Sequence, residues 1–449
     1  MNWSASLTAT IRTALSACSH SCRKPAYILG NHNMHVVVVG AGIVGVCTAL
    51  ELIREGHKVT VVDAASNAAS QASYANAGLL SPGHCFSWAE PGTVQGVLSA
   101  FILGKDRPRI GRPRNAALVG WLRLFAKQSS VGNWKRNSRH ALQLARLSRE
   151  IHFSTDDIPL SSYGGSRNGL LYLYKAGEAP AEAELDLLRE AGEPFEVLRG
   201  NALRALDPSL NGANADSFHG GTYCPLDACG DARLYALEAA RIAGERSAQF
   251  RWETRVGEIL MQEGRVVGIS TESGVLPCDA CVVATGYASK ELLRPLKYKL
   301  QIHPVSGYSL TYHGIQGARP VHGGVSISDK IAWAPFGEGR MRFTGFADIG
   351  HPDKTLSSHR FASLEAFARK LCPAVEGMEV EQWVGQRPMT PDGLPYLGAG
   401  THQGLFLNCG HGAMGWTMAS ASARLTAQVM AGRTPSMDLT PFRHDRRFL

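Results

Sequence analysis

Nowhere in the 449 residues is there a charge-free apolar run of about 18 residues or more, so the sequence offers no spanning helix. Cysteine is sparse. Ten thiols in a chain of this length form no disulfide framework, and a reduced, intracellular protein is expected. Metal-ligand patterns are scarce too. Cys278 and Cys281 make a Cys-x-x-Cys, but no second pair completes a tetrahedral zinc set, and the pair runs into the apolar Val282-Val283. Cys18 and Cys22 bracket His20 and leave such a site one ligand short. No metal is expected. Internal repeats and low-complexity segments are lacking. Charged residues make up 19% and hydrophobic residues 44%, a balance that excludes disorder or fibre for the chain as a whole. The length corresponds to roughly three domain-equivalents.

Glycine, by contrast, is abundant, with 48 residues and no Gly-X-Y period, which points to tight turns and close backbone approaches. Positive charge is abundant locally. Between 101 and 149 stand twelve Lys and Arg residues against Asp106 alone, although the whole chain is only +8. Trp121, Leu122, Leu124 and Phe125 sit among them. Such a stretch reads either as a helix lying on an anionic membrane or as a solvated face with buried aromatics. Residues 1–33 contain no acidic residue and are rich in Ser, Thr and Ala. A transit peptide and an upstream extension of the reading frame are both open, Met34 standing just before the first strand, and disorder is expected there.

The first organised unit starts at Val36-Val37-Val38-Val39, β-branched and apolar as a buried parallel strand is. Gly40-Ala41-Gly42-Ile43-Val44-Gly45 follows, then a helix to Gly56, then the strand Lys58-Val59-Thr60-Val61-Val62 ending in Asp63. This is a βαβ unit with Gly-x-Gly-x-x-Gly at its first turn. Gly40 permits the turn, Gly42 lets a pyrophosphate approach the backbone, and Gly45 lets the helix pack on the strand. The helix N-terminus offers unpaired N–H groups to phosphates, and Asp63 suits a ribose hydroxyl pair. An adenine dinucleotide is therefore expected, and the motif alone does not decide between NAD and FAD.

Two further blocks stand apart from this unit. One is Ser73-Tyr74-Ala75-Asn76-Ala77-Gly78. The other runs from Gln386-Arg387-Pro388-Met389-Thr390-Pro391-Asp392-Gly393 to Asn408-Cys409-Gly410-His411-Gly412-Ala413-Met414-Gly415-Trp416-Thr417. With the glycine motif, these resemble the FAD-dependent D-amino-acid oxidase/glycine oxidase superfamily, and within it the bacterial D-amino acid dehydrogenases (small subunit). The resemblance spans Met34 to about Arg443.

What it implies falls on named residues. FAD is the cofactor. Val38 and the block from Gly40 to Gly45, with Asp63, should hold its ADP half. Asn76, Ala77 and Gly78 should lie along the isoalloxazine ring. Val256, Thr285 and Gly286 should close over the adenosine side, and Gly393 should turn near the cofactor. Gly410, His411, Gly412, Met414 and Gly415 should lie under the flavin pyrimidine, where a helix N-terminus favours the negative charge of reduction. Arg387 resembles the arginine that clamps the substrate carboxylate, a structural arginine at a strand end being its alternative. Tyr308 is assigned a polar contact at the pocket wall, a core or edge tyrosine being its alternative.

The implied reaction is oxidative deamination of a D-amino acid to a 2-oxo acid and ammonia, by hydride transfer from Cα to flavin N5. Electrons would pass to a quinone or another electron-transfer acceptor. Ser306, Cys409 and Ala332-Trp333 depart from residues usual in the relatives, which leaves the substrate side chain open. A flavin oxidase of glycine, sarcosine or a cyclic imino acid such as D-proline or hydroxyproline also stays open, as does a flavoprotein subunit without a substrate of its own. Nucleic acid is not an expected partner. The expected place is cytoplasmic, with peripheral contact on the inner face of the cell membrane through residues 101–149 left open.

The expected fold is α/β. A Rossmann-like FAD-binding domain would be assembled from 34–87, 205–300 and 383–435. A second, α+β substrate domain on a mainly antiparallel sheet would come from 88–204 and 301–382.

Overall fold

The computed structural model describes residues 33–93, 116–155, 157–210, 218–337, 339–349 and 357–448. The expectation for residues 1–33 and the basic side chains Lys105 to Arg114 therefore fall almost wholly outside the described residues. Two large sheets organise the rest. The first has six strands in the order Tyr396–Ala399, Leu405–Cys409, Ala280–Val283, His35–Val39, Lys58–Val62 and Gln249–Arg251. All but its Tyr396–Ala399 edge run parallel.

The consecutive valines explain its centre. Side chains alternate across a strand. Val36 and Val38 pack under the helices Ile43–Arg54, Ala232–Glu245 and Gly415–Met430. Val37 and Val39 face a three-stranded antiparallel layer from Val256 to Pro277 through Ile259, Val266 and Ile269. The strand is buried on both sides, so no polar residue interrupts it. Cys278 and Cys281 belong to this core as free thiols, the first pushed up to about 12 by burial, and neither is a nucleophile.

The second sheet has eight strands, in the order Glu379–Met389, His303–His313, Arg340–Ile349, Ile331–Phe336, Gly323–Ser326, Leu170–Tyr174, Gly220–Cys224 and Glu196–Arg199. Its neighbours are antiparallel except for one parallel pair. The helix Ser358–Leu371 covers one face through Phe361 and Leu364. The other face looks back toward the first sheet.

The chain crosses between the sheets in places the sequence division does not follow. Gly220–Cys224, placed with residues 205–300 in the nucleotide domain, pairs in the second sheet. So does the whole of Glu379–Met389, with Arg387 opposite Val305. The helix Val131–Ser154, placed in the substrate domain, packs through Ala141 and Ala145 on Met418 and Ala421 of the last helix. Small side chains on both helices permit that close approach, and alternation along a strand does not say which sheet it joins.

The described half of the basic stretch is partly neutralised inside the protein. Arg149 pairs with the buried Glu193, which also takes Arg146 at 3.0 Å. On the helix Ala116–Gln128, Trp121 is buried and its indole N–H donates to the Met389 carbonyl at 3.2 Å. Leu122 and Phe125 pack beside it against Val305. This apolar side is occupied by the second sheet, which removes the tryptophan as a membrane anchor. Among the described residues, no helix is long and apolar enough to cross a membrane.

Candidate active site

A cavity of about 1620 Å³ lies between the two sheets. Sites for drug-sized ligands are roughly 300–1,000 Å³, so this one has room for an extended ligand with a small one beside it. The carboxyl ends of the parallel strands border it at Val39, Val62, Ala284 and Cys409, where open α/β sheets bind ligands.

At one end lies the glycine motif. Gly40 has φ +103°, and a Cβ there would stand 2.7 Å from the Ala284 carbonyl oxygen. A Cβ on Gly45 would stand 1.8 Å from the Gly40 oxygen, so helix and strand touch at that point. Gly42 differs. A Cβ there would meet nothing closer than the Ser73 hydroxyl at 3.5 Å, and it would project at the cavity. No internal contact requires that glycine, which marks a cradle kept clear for a ligand.

Asp63 ends its strand at the cavity wall. Its carboxylate accepts the Ala41 amide at 2.6 Å and the Ala65 amide at 2.8 Å, and retains lone pairs for hydroxyl donors. Gly42 caps the helix Ile43–Arg54 with no side chain of its own, the Ile43 amide donates to the Ser73 hydroxyl at 3.1 Å, and Gly42, Ile43 and Val44 bring the positive end of that helix to the cavity wall. Val256, Thr285 and Gly286 border the same end.

At the other end, Gly410 (φ +80°) turns the strand Leu405–Cys409 into the short turn Gly412–Met414 and the helix Gly415–Met430. A second helix N-terminus thus reaches the cavity. His411 lines it, but its ring bonds the Ser422 hydroxyl at 3.1 Å and burial holds it down at about 3, so it is a neutral structural imidazole. Asn408 Oδ1 and Trp416 Nε1 are buried polar atoms without a hydrogen-bond partner among the described residues, and both residues border the cavity. Such atoms are costly unless a ligand supplies the missing hydrogen bond. Asn76, Ala77 and Gly78 lie between the two ends; Gly78 (φ +73°) packs against the Phe336 ring and the Gly230 oxygen.

Arg387 stands on the second sheet. Its guanidinium lies over Gly307, donates to the Phe346 carbonyl at 2.8 Å and faces the Trp88 ring at 5.6 Å. Among the described residues it makes no ion pair. Burial lowers it to about 10, so it remains a cation at neutral pH. The nearest carboxylate acting on it is Asp348, which already accepts Arg360 at 2.6 Å and the Tyr308 hydroxyl at 3.0 Å. A desolvated cation on the wall of a cavity, without its own counter-ion, is a site for an anion.

Of the residues singled out from sequence, Val38, Ala41, Gly45 and Gly393 are not among those lining the cavity; the others are. Val38 faces the helix layer, and Gly393 (φ +78°) turns against Ser87. Trp88 and Glu184 stand outside the sequence motifs, Trp416 belongs to the last of them without an assigned role, and His84 follows the Ser81-Pro82-Gly83 turn, from which it could face the pocket, without being chosen as a site residue. All four border the cavity. Glu184 carried a readable signal: Glu182, Asp186 and Glu190 recur every four positions on one face of their helix, and Glu184 falls on the opposite one.

Burial and the nearby Glu90 raise Glu184 to about 7, whereas burial holds His84 at about 4. Glu184 is therefore neutral below pH 7 and negative above it. An anion such as benzoate is expected to bind a few-fold more weakly as pH rises through about 7. Titrations in Glu184→Gln should be flat over that span, while His84→Gln should keep the wild-type profile.

The family model for FAD dependent oxidoreductases matches residues 35–429. A protein named D-amino acid dehydrogenase from Methylobacterium nodulans is 36% identical over 410 residues, 90% of this chain and 97% of its own length. Another of that name from Sinorhizobium medicae is 36% identical over 413 residues, 91% of this chain and 98% of its own. A glycine oxidase structure from Bacillus cereus superposes with a TM-score of 0.71 at 23% identity, covering 93% of this chain and 100% of its own. An L-proline dehydrogenase structure from P. horikoshii gives 0.70 at 17% identity, over 92% and 97% of the two chains. These structures share this chain's fold. With a family model matching residues 35–429 and relatives aligned over about nine-tenths of its length, the chain belongs to the FAD dependent oxidoreductase family.

Proposed function

We propose that this chain is an FAD-dependent D-amino acid dehydrogenase, converting a D-amino acid to a 2-oxo acid and ammonia. The observation that carries the substrate class is Arg387: a desolvated guanidinium on the cavity wall that makes no ion pair among the described residues. The named activity of the relatives adds the D-series.

When bound, FAD supplies the two-electron acceptor for oxidation of the substrate's C–N bond. The cradle at Gly42 and Asp63 would hold its nucleotide half, and the turn from Gly410 to Met414 its ring. Arg387 grips the substrate carboxylate with a planar fork that a lysine does not reproduce. That grip leaves the amine and Cα free to be oriented within the cavity. The N-terminus of Gly415–Met430 offers a preorganised positive field where negative charge develops. No general base is assigned; the imino acid product is hydrolysed by water. A quinone or another electron-transfer acceptor is the proposed recipient of the electrons.

With a D-amino acid as donor, turnover with a soluble quinone analogue should exceed turnover with dissolved oxygen by at least about tenfold. Oxygen consumption matching the quinone rate would make the protein an oxidase instead.

A further inference from the structure

Strand Arg340–Ile349 pairs with strand His303–His313 through a register break. Ser306 lies opposite Asp348 and Tyr308 opposite Gly345, so Phe346 and Ala347 together oppose Gly307 alone. This is a β-bulge, a device that re-aims groups beside a site. Phe346 sits in the left-handed region at φ +65°, where a bulky side chain is strained. Its carbonyl is the acceptor of the Arg387 guanidinium, and the Arg360 guanidinium lies over its ring at 4.4 Å.

On the other side, His303–His313 pairs in unbroken register with Glu379–Met389, placing Gly307 opposite Gly385 and Val305 opposite Arg387. The Arg387 side chain crosses back over Gly307. A Cβ on Gly307 would stand 2.3 to 2.4 Å from Nη1, Cζ and Nη2 of Arg387, its three nearest atoms. Gly307 has no positive φ to explain it, so it is glycine to make room for this guanidinium.

We propose that Gly307 and the Phe346 bulge form the positioning device of the carboxylate clamp. The empty Cα of Gly307 is the bed on which the guanidinium lies, and the Phe346 carbonyl, aimed by the bulge, accepts from Nη1 and fixes the orientation of the guanidinium plane. The proposal rests on Arg387 being that clamp. Both residues act through Arg387 and are positioning residues.

At closest range a methyl group at 307 meets three atoms, all at the far end of a flexible side chain. It should therefore push the guanidinium aside rather than unfold the sheet. In FAD-loaded Gly307→Ala, the Kd for benzoate, read from the flavin absorbance change, should rise tenfold or more. The KM for the amino acid should rise in parallel, with kcat falling less than KM rises. Arg387→Ala and the double variant Gly307→Ala/Arg387→Ala complete a cycle. With the guanidinium gone the methyl has its space, so the double variant should match Arg387→Ala in benzoate Kd and in Tm.

If Gly307→Ala alone holds FAD poorly or melts early, the double variant decides: recovery to the Arg387→Ala level supports the device. A double variant carrying the full added loss of both changes would overturn it, as would Gly307→Ala with wild-type benzoate affinity. Wild-type benzoate affinity in Arg387→Ala would instead remove the clamp itself, a separate failure.

Discussion

In Arg387→Ala, kcat/KM for the D-amino acid is expected to fall by about two to three orders of magnitude while the protein stays yellow. The magnitude follows from removing one partner of a desolvated, hydrogen-bonded charge pair, which costs on the order of 3–4 kcal/mol. Both parameters should suffer. Grip on the carboxylate is present before and during reaction, so its loss raises KM. Orientation of Cα is also lost, so kcat falls. FAD should remain because Arg387 stands on the second sheet, whereas the glycine motif and the Gly410 turn belong to the first. Steady-state kinetics with a flavin spectrum taken on the same sample checks both halves. Arg387→Lys should recover little, since the ammonium is a point charge without the planar fork.

Gly42→Leu is expected to give a folded but colourless protein. The three motif glycines face different surroundings, and only this one borders the cavity without touching the fold. A Cβ on Gly40 or Gly45 strikes backbone at 2.7 Å and 1.8 Å, so Gly40→Ala and Gly45→Ala should impair folding itself. A leucine at 42 grows from a position whose nearest protein atom is 3.5 Å away and fills the space in front of a helix N-terminus. Its far-ultraviolet circular dichroism should match the wild type, and the flavin absorbance after incubation with FAD and desalting should be absent. A yellow Gly42→Leu protein would place the dinucleotide elsewhere.

That contrast shows what was legible before any coordinates. The βαβ unit was, because four successive valines buried on both faces, a glycine turn and a closing acid each have one physical explanation, and they coincide. Assignment of strands to sheets was less so. Gly220–Cys224 and Glu379–Met389 joined the second sheet because strand partners are chosen by long-range packing, which local alternation does not encode. The catalytic cavity was half legible. Residues from three separated motifs meet there, but Trp88 and Glu184 come from segments with no motif, carried in by the tertiary fold. Gly307 belongs to none of the sequence motifs and stands inside the strand His303–His313. Its reason is a guanidinium from a strand some eighty positions later, which no spacing rule reveals. Phe346 gave no signal, since a left-handed phenylalanine is a property of the bulge and not of the residue.

Anaerobic titration of the purified protein with paired D- and L-amino acids addresses the enzyme assignment in one experiment. Bleaching of the yellow flavin absorbance is expected with members of the D-series and not with their L-partners, with the 2-oxo acid formed in proportion to flavin reduced. A protein that carries no flavin after incubation with FAD, or whose flavin no D-amino acid reduces, would contradict it.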